Sequence, residues 1–498
     1  MAQQEDRSGM PSTHHARTAD HAQTANRARA AVLQTGAQLL VAFTGYVTAV
    51  LLARHLGPAA YGAYGMVYSV LLAFEIVGRL GLPQALTKLV AEREAGRGTV
   101  ERTGLTLGAL VYLGLFALFW LGAPWLGETL HVEDGTRLFR IAALDIPFYG
   151  ILFMALAVLN GRGRFSAAAL ATAIYALAKL IGILVLALPG VTAEGALLVN
   201  AVGSAIGLVV AAVVIGGRAC VPAFGAARRI VVFAAPVSMR GVALQLLSGI
   251  GLWSLGLAGA SVPEAERGLY AAANSIARLP TVLAVGMSGV LVGSIAAAMG
   301  RGDRQAATGM LVGATRALLA LLVPATVVLT VEAERAMTLI FADRFSGGGG
   351  LLAVLVVGQG LLSTLLIVVS SALVAASRAG AAAGVAAAGL AAAAVGTVLL
   401  VPAYGAMGAA VATTIGCGVA ACGAGWLAAK HIGSWLSAGM AMRLAAATAP
   451  VALLAAALPG QGGWLLVELA ALCVLQLGLL AAMGVIGTAD LRLLAGRR

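Results

Sequence analysis

Eight ionisable side chains stand inside stretches otherwise built from Ala, Leu, Val, Ile and Gly: the cations Arg79, Lys179, Arg240, Arg278 and Arg316, and the acids Glu75, Asp145 and Glu468. Holding one such group within an apolar span costs about 2.5–3.5 kcal/mol on insertion scales, so each calls for a partner or a task. Arg240, Arg278 and Arg316 lie about ten residues inside three successive apolar stretches, roughly 15 Å deep at the helical rise per residue. A guanidinium stays charged where polarity is low and grips paired oxygens through its planar fork, so the three arginines together suit an anionic group and form a candidate substrate site. Asn274, one turn before Arg278, shares its helix face and offers donors and an acceptor to a polar ligand at the same site. Lys179 and Arg79 are further cations for the same substrate site. The competing reading of each is structural: a snorkelling side chain, or an ion pair that pins two helices.

The acids also read two ways. Glu75 precedes Arg79 by four residues, the favourable order for an ion pair on one helix. If it faces a cavity instead, it is a proton carrier able to drive a transport cycle. Asp145, about two turns from the end of its stretch, is the rival carrier. Glu468 opens its stretch, where an acid complements a helix N-terminus.

Such groups need a scaffold, and composition dictates its class. Hydrophobic residues are 60% of the 498, charged residues 10%, and mean hydropathy is +0.96. A soluble globule needs far more polar cover. Apolar stretches run at 30–53, 62–82, 104–123, 139–159, 165–188, 194–215, 230–258, 268–297, 306–331, 349–376, 379–400, 404–428, 441–458 and 464–486. Each is near the roughly 20 residues a helix needs to span a bilayer. Period-two alternation is absent, which argues against a barrel. The expected fold is an all-α integral membrane protein with about 14 transmembrane helices.

The net charge of +12 does not point to nucleic acid, because the cations sit in short connectors. Connectors on the side of the N-terminus carry 21 Lys and Arg, those opposite only six. That asymmetry predicts a multi-pass protein of the plasma (inner) membrane with both termini cytoplasmic. Acids on the other side, among them Glu133, Asp134, Glu264, Glu266, Glu332 and Glu334, read as a solvated face. Residues 1–29 are polar and carry His14, His15 and His21, yet offer nothing apolar to fold around a metal, and are expected to be a disordered cytosolic tail. The first stretch is too long for a cleaved signal and is expected to stay as helix 1. The four cysteines imply no disulfide framework. Neither G-x-x-x-x-G-K nor H-E-x-x-H occurs, no cofactor is implied, and Gly347 to Gly350 reads as a flexible linker.

The chain repeats itself at an offset a little over 200 residues. Tyr61-Gly62-Ala63-Tyr64 is echoed by Arg267-Gly268-Leu269-Tyr270, Gly96-Arg97-Gly98 by Gly300-Arg301-Gly302, and Gly195-Ala196 by Gly408-Ala409. Each pair keeps its membrane side, which predicts parallel repeats about an axis along the membrane normal. The expected organisation is an N-lobe at 30–215, a loop at 216–229, a C-lobe at 230–428, and two appended helices with a cytosolic tail at 429–498.

Arg54-His55-Leu56-Gly57-Pro58-Ala59-Ala60-Tyr61-Gly62 joins the first two stretches. Gly57-Pro58 stops one helix and turns the chain, and Tyr61 suits the membrane interface. This R-x-L-G-P-x-x-Y-G hairpin resembles that of the polysaccharide-transporter branch of the multidrug/oligosaccharidyl-lipid/polysaccharide (MOP) flippase superfamily. Gly81-Leu82, Asn160-Gly161-Arg162-Gly163-Arg164-Phe165 and Gly268-Leu269-Tyr270 add to the likeness, which covers roughly 30–430. The resemblance implies a MATE/MOP-like flippase that moves a polyprenyl-diphosphate-linked oligosaccharide from the inner to the outer leaflet by alternating access during polysaccharide biosynthesis. Its implied partners are that lipid-linked cargo, membrane lipids, a coupling proton or cation, and a polysaccharide polymerase. A peptidoglycan-precursor flippase or a MATE-type multidrug antiporter is the near alternative, although five buried cations against three acids suit an anionic cargo better than a cationic drug. A membrane glycan polymerase or ligase is the alternative from another class. Such enzymes place their chemistry in a large external loop, and no outer connector here exceeds about 20 residues.

Overall fold

The computed structural model describes residues 13–79, 81–92, 97–216, 227–436, 438–457 and 464–484. The helices are α1 Thr13–Arg79, α2 Leu82–Ala91, α3 Arg97–Thr129, α4 Gly135–Ala143, α5 Asp145–Gly161, α6 Phe165–Leu186, α7 Ala193–Ile215, α8 Ala227–Leu257 and α9 Glu264–Ala277. They continue as α10 Thr281–Gly300, α11 Arg304–Val331, α12 Ala333–Phe341, α13 Gly349–Leu355, α14 Ser363–Ala375, α15 Ala379–His431, α16 Ala438–Ala457 and α17 Trp464–Ala482. No strand occurs among the described residues. Among the described residues eight helical segments are long and apolar enough to cross a membrane, and two of these, Leu33–Ala91 and Ala379–His431, are each more than twice the length of one span.

Glycine explains those two. α1 turns at Gly57, whose φ of 75° is open to a residue without Cβ, and Pro58 starts the second arm. α15 turns at Gly405, φ 53°. Its arms then run back along each other: a Cβ on Gly389, Gly396 or Gly408 would meet Ala420, Ala412 or Leu400 in turn. With α1 and α15 supplying two passes each, α4 with α5, α9 with α10 and α13 with α14 one each, and α3, α6, α7, α8, α11, α16 and α17 one apiece, the described residues make fourteen passes.

The boundaries depart from expectation where the chain bends. Helix α1 starts at Thr13, inside the expected tail, and residues 1–12 and 485–498 and most of the expected 216–229 loop lie outside the described residues. The expected single stretch 268–297 is broken between α9 and α10 at Arg278-Leu279-Pro280, since a proline cannot continue the ladder behind it. The pass from α13 to α14 carries a π turn, Val356–Leu362, and Gly360 lies against Ala277 O at the α9 break. The Gly347 to Gly350 run is not a linker: Gly347 N and Gly349 N donate to the Glu334 carboxylate and Gly349 begins α13. Glu133 and Asp134 are exposed, as a solvated face would have them, while two other acids on this side are engaged. Glu266 accepts from Ala406 N at the α15 turn, 2.8 Å, and buried Glu332 pairs with Arg335 at 2.7 Å.

The end of the bundle that carries the Gly57 and Gly405 turns is one continuous core. It draws Leu52 to Leu71 of α1, Phe119 of α3 and Phe139 of α4 together with Tyr270 of α9, Phe341 of α12 and Val401 of α15. At the opposite end that core divides. One set of clusters packs α2, α5, α6 and α7, and another packs α10, α11, α14 and α15.

At the joined end the second arm of α1 and α9 touch backbone to backbone. A Cβ on Gly62 would stand 2.5 Å from Glu264 O, and a Cβ on Gly268 would stand 1.8 Å from Pro58 O. Each of these contacts is the image of the other under the repeat offset, and Gly65 meets Ala271, its own image, at 3.0 Å. Two parallel helices in equal register across a pseudo-twofold axis give this pattern.

Arg267 locks the joined end. Buried, it donates to Leu130 O at 3.1 Å, His131 O at 2.9 Å, Gly259 O at 2.6 Å and Val262 O at 3.2 Å, so one guanidinium ties the α3–α4 turn to the α8–α9 turn. Arg54 does likewise from α1, reaching Leu339 O and Ile340 O at the end of α12. Arg267→Met is expected to loosen this end by about 2 kcal/mol, roughly thirtyfold in opening, read as faster amide exchange around residue 132. Arg267→Lys should not restore protection, because an ammonium is a point donor and the guanidinium fork reaches two turns at once.

Candidate functional site

Below the joined end, where the core divides, lies a cavity of about 290 Å³. That volume is at the small end of the roughly 300–1,000 Å³ typical of ligand pockets. α1 lines it from both arms, with Thr44 and Thr48 before the turn and Tyr61, Tyr64, Tyr68 and Ser69 after it. α6 adds Tyr175 and Lys179, α7 adds Asn200, and α9 adds Asn274, Ser275 and, at its end, Arg278. Two cations line this cavity and no carboxylate does.

The α9 break aims Arg278. Its own N–H still closes the last helical turn on Asn274 O at 3.1 Å, after which Pro280 carries the chain off, leaving the guanidinium beside the cavity with Tyr270, Tyr68 and Cys417 as its polarisable neighbours. Asn274 Oδ1 is buried and has no hydrogen-bond partner. It is an acceptor waiting for a donor, as a sugar hydroxyl would be. On the facing wall Lys179 Nζ donates to Tyr175 Oη at 2.7 Å and sits 4.4 Å above that ring.

Behind Lys179 is a second polar centre, away from the cavity. Glu75 and Asp145 are both buried, and their carboxyl groups are within hydrogen-bonding reach of each other. Asn200 Nδ2 donates to Asp145 Oδ2, while Glu75 Oε1 and Asp145 Oδ1 have no partner. Asp145 follows Leu144, where one tightened turn (Leu144 N to Ile141 O, 3.2 Å) joins α4 to α5 in a single pass. Arg79 closes the far side. It does not form a simple pair with Glu75; its guanidinium donates to Tyr149 Oη and lies 4.3 Å over the Phe153 ring.

The expected site residues therefore separate. Arg278, Lys179 and Asn274 converge on the cavity; Glu75, Asp145 and Arg79 converge on the carboxyl centre beside it. Arg240 and Arg316 line neither, and Arg240 donates instead to Ser370 Oγ on α14 at 3.0 Å. Counting residues along a helix fixes depth but not the direction a side chain faces. Sequence reasoning overlooked Asn200 and the tyrosines. The tyrosines had a signal: Tyr61, Tyr64 and Tyr68 fall three and four apart, hence on one face, and Tyr64 and Tyr68 stack at 5.5 Å.

Residues 28–298, more than half of the chain, match the family described as Polysaccharide biosynthesis protein. The chain belongs to this family. Stage V sporulation protein B of Bacillus subtilis (strain 168) is 30% identical over 123 residues, a stretch that spans 23% of this polysaccharide biosynthesis family member and 23% of that relative. Among solved structures, a lipid II flippase MurJ in an inward closed conformation superposes with a TM-score of 0.75 over 91% of this chain and 98% of its own, at 14% identity. An inward-facing multidrug resistance MATE family transporter of the MOP superfamily gives 0.65 over 84% and 98%, at 15% identity. A MOP superfamily transporter from Pyrococcus furiosus Vc1 (DSM3638) gives 0.62 over 82% and 96%, at 15% identity. The fold of this family member is thus the MOP-superfamily fold, as the hairpin at Gly57 led one to expect. It is an all-α, multi-pass membrane protein of the polysaccharide biosynthesis family.

Proposed function

We propose that this protein is a transporter and not an enzyme, a flippase that carries a polyprenyl-diphosphate-linked oligosaccharide from the inner to the outer leaflet of the plasma membrane, with both termini in the cytoplasm. The observation that carries the reading is the cavity between the two halves, which offers Arg278 and Lys179 and no carboxylate. A diphosphate dragged through hydrocarbon loses its hydration with nothing in return, a barrier out of thermal reach. A cationic cavity removes most of that barrier while the prenyl tail stays in lipid. A cationic drug would meet like charge here, so the antiporter alternative fits poorly. Residues 30–215 and 230–428 act as the two lobes, a division supported by the mirrored contacts of Gly62 and Gly268. The joined end is then the outer one, closed in this conformation. Glu75 and Asp145 hold the coupling proton, and the binding groups are Arg278, Lys179, Asn274 and Asn200, without Arg240 or Arg316.

A peptidoglycan precursor is the second reading, favoured by the 91% coverage of the chain by the MurJ fold. Both cargoes present a sugar on a prenyl diphosphate, and a transport assay distinguishes them. Proteoliposomes holding the full chain should move a fluorescent lipid-linked oligosaccharide between leaflets, and Arg278→Ala should slow this roughly 10- to 100-fold, the worth of about 1.5–3 kcal/mol for a hydrogen bond to a charged group. An unchanged rate in the variant defeats the proposed site. Faster movement of a lipid-linked sugar-peptide than of any oligosaccharide transfers the assignment to the second reading.

A further inference from the structure

We infer that the corner of the divided end where α11 starts and α15 both starts and ends is a binding site for an anionic phospholipid, whose phosphate is taken by Arg304, Arg378 and Lys430 while an acyl chain lies along the last turns of α15. The site is separate from the cavity and its cargo. Only its assignment to the inner leaflet rests on the orientation proposed above.

Three connectors meet at this corner. The arms of α15 pair in step from the turn at Gly405: Gly396 faces Ala412, Gly389 faces Ala420, and Val385 faces Gly423. The same stride carried to the ends of the helix sets Arg378, which precedes its first residue, level with Lys430 and His431 in its last turn. α11 is fastened there as well, since Arg304 Nη2 donates to His431 O at 2.9 Å and Thr308 Oγ1 to Ile432 O at 2.9 Å. Beneath all three, Ala307, Ala375, Ala382, Ala428 and Ile432 pack into one apolar cluster.

The cations are brought together without an anion. Arg304, Arg378 and Lys430 are exposed, and neither the Arg378 guanidinium nor the Lys430 ammonium has a hydrogen-bond or ion-pair partner among the described residues. Asp303, the acid of the α10–α11 turn, caps its own helix by accepting from Ala306 N at 2.9 Å. The first repeat builds the same corner differently. Gly163 and Ser377 both turn left-handed, φ 73° and 61°, and Arg164 N and Arg378 N close the same bond, to Leu159 O and Leu373 O, so the two turns are copies. In the first copy Arg162 is forked onto Glu101 at 2.8 and 2.6 Å, and Arg164 donates to Val214 O at 2.8 Å. The second copy has Ala376 in place of Arg162, and Gln305, five residues after Gly300 as Glu101 is five after Gly96, in place of the acid. Crowding like charges with no counter-charge costs free energy that an anion from outside the chain recovers.

Charge complementarity thus calls for an anion, and the helix calls for a lipid. Ile415, Val419, Cys422, Trp426 and Lys430 are exposed and fall four, three, four and four residues apart, one stripe along α15. Trp426 is 65% exposed, and Lys430 Nζ stands 5.4 Å over its ring. An exposed indole one turn deeper than a cation marks the level of the headgroups, so a chain laid on the stripe ends with its phosphate at Lys430. None of these residues lines the cavity, which makes the occupant a lipid of the surrounding bilayer and not a headgroup in transit.

The test places the full chain in nanodiscs of phosphatidylcholine with a minor share of phosphatidylglycerol and brominates the acyl chains of one lipid at a time, since bromine quenches an indole that it touches. The Trp426 signal is the difference from a Trp426→Phe chain. Brominated phosphatidylglycerol should quench Trp426 well beyond its share of the lipid. A cation beside an anionic lipid is worth about fivefold in affinity, so losing two, Arg378→Gln with Lys430→Gln, should abolish a preference of up to roughly 25-fold. Arg164→Gln, which removes the same charge from the first copy, should leave the preference unchanged. Quenching by the two lipids in proportion to their shares overturns the inference, and so does an equal loss in Arg164→Gln, the mark of a diffuse surface field. Two additives distinguish the source of the phosphate. Glycerol phosphate, a headgroup without chains, should not displace the lipid, and undecaprenyl diphosphate should displace it no better than phosphatidylglycerol does. Displacement by the first would leave a site for a bare anion, and displacement by the second at far lower mole fraction would make it a docking point for cargo; either overturns the phospholipid assignment.

Discussion

A Gly268→Val chain is expected to insert, to fold and to lose the proposed transport, because it cannot close the joined end. The backbone of α9 at Gly268 lies so near α1 that a Cβ would fall 1.8 Å from Pro58 O and 2.6 Å from Pro58 C. Extra methylenes forced into a packed core cost about 1–3 kcal/mol where side chains can shift, and here the obstacle is main chain, which cannot. A penalty beyond about 3 kcal/mol moves a two-state equilibrium more than a hundredfold, so the outer-closed state is emptied while conformations with α1 and α9 apart are untouched. A cysteine placed at Ser275, on the cavity wall, should then react from outside with an impermeant maleimide far faster than in the parent. Gly62→Val should behave alike, since its Cβ would meet Glu264 O at 2.5 Å in the mirrored contact. Gly293→Ala, where nothing stands within 4 Å, is the matched control. Normal transport with unchanged labelling in Gly268→Val would show that these two helices need not touch during the cycle.

That contact was half legible in the sequence. The likeness between Tyr61-Gly62 and Arg267-Gly268 disclosed a repeat and its sense, yet not that the two copies meet. A repeat predicts equivalent surroundings, and contact between copies follows only when the motif lies beside the symmetry axis. The fourteen passes, the Gly57 turn and the membrane class were readable because hydrocarbon imposes length and apolarity on every pass. The same solvent hides the azimuth. Lipid and the helix interior are equally apolar, so no hydrophobic stripe marks which face of α8 or α11 looks inward. Arg240 and Arg316 were accordingly placed by depth alone, whereas Arg278 reaches the cavity because Pro280 ends its helix there. The pairing of Glu75 with Asp145 was not readable either, since it depends on which helices adjoin.

The two acids also differ from the cavity cations in what their loss should do, which separates stability from transport. Asp145→Leu is expected to cost about 3–5 kcal/mol of stability, the usual consequence of removing one member of a buried charged group. Asp145 is fully buried, so the change strips the Asn200 amide of its acceptor and leaves Glu75 alone to answer two cations. Leucine fills similar space, so the loss is electrostatic and not a void. Asp145→Asn keeps an oxygen for Asn200 and should lose far less. If uncompensated charge is the cause, adding Lys179→Met to Asp145→Leu should return part of the loss, a coupling of about 1–3 kcal/mol in a double-mutant cycle of detergent unfolding. Arg278→Ala, by contrast, removes a cation that faces an open cavity with no carboxylate on its walls, and should leave unfolding unchanged while transport falls. Additive losses for Asp145→Leu with Lys179→Met would mean that these groups do not share one charge balance. The lysine would then be tied to the cavity alone.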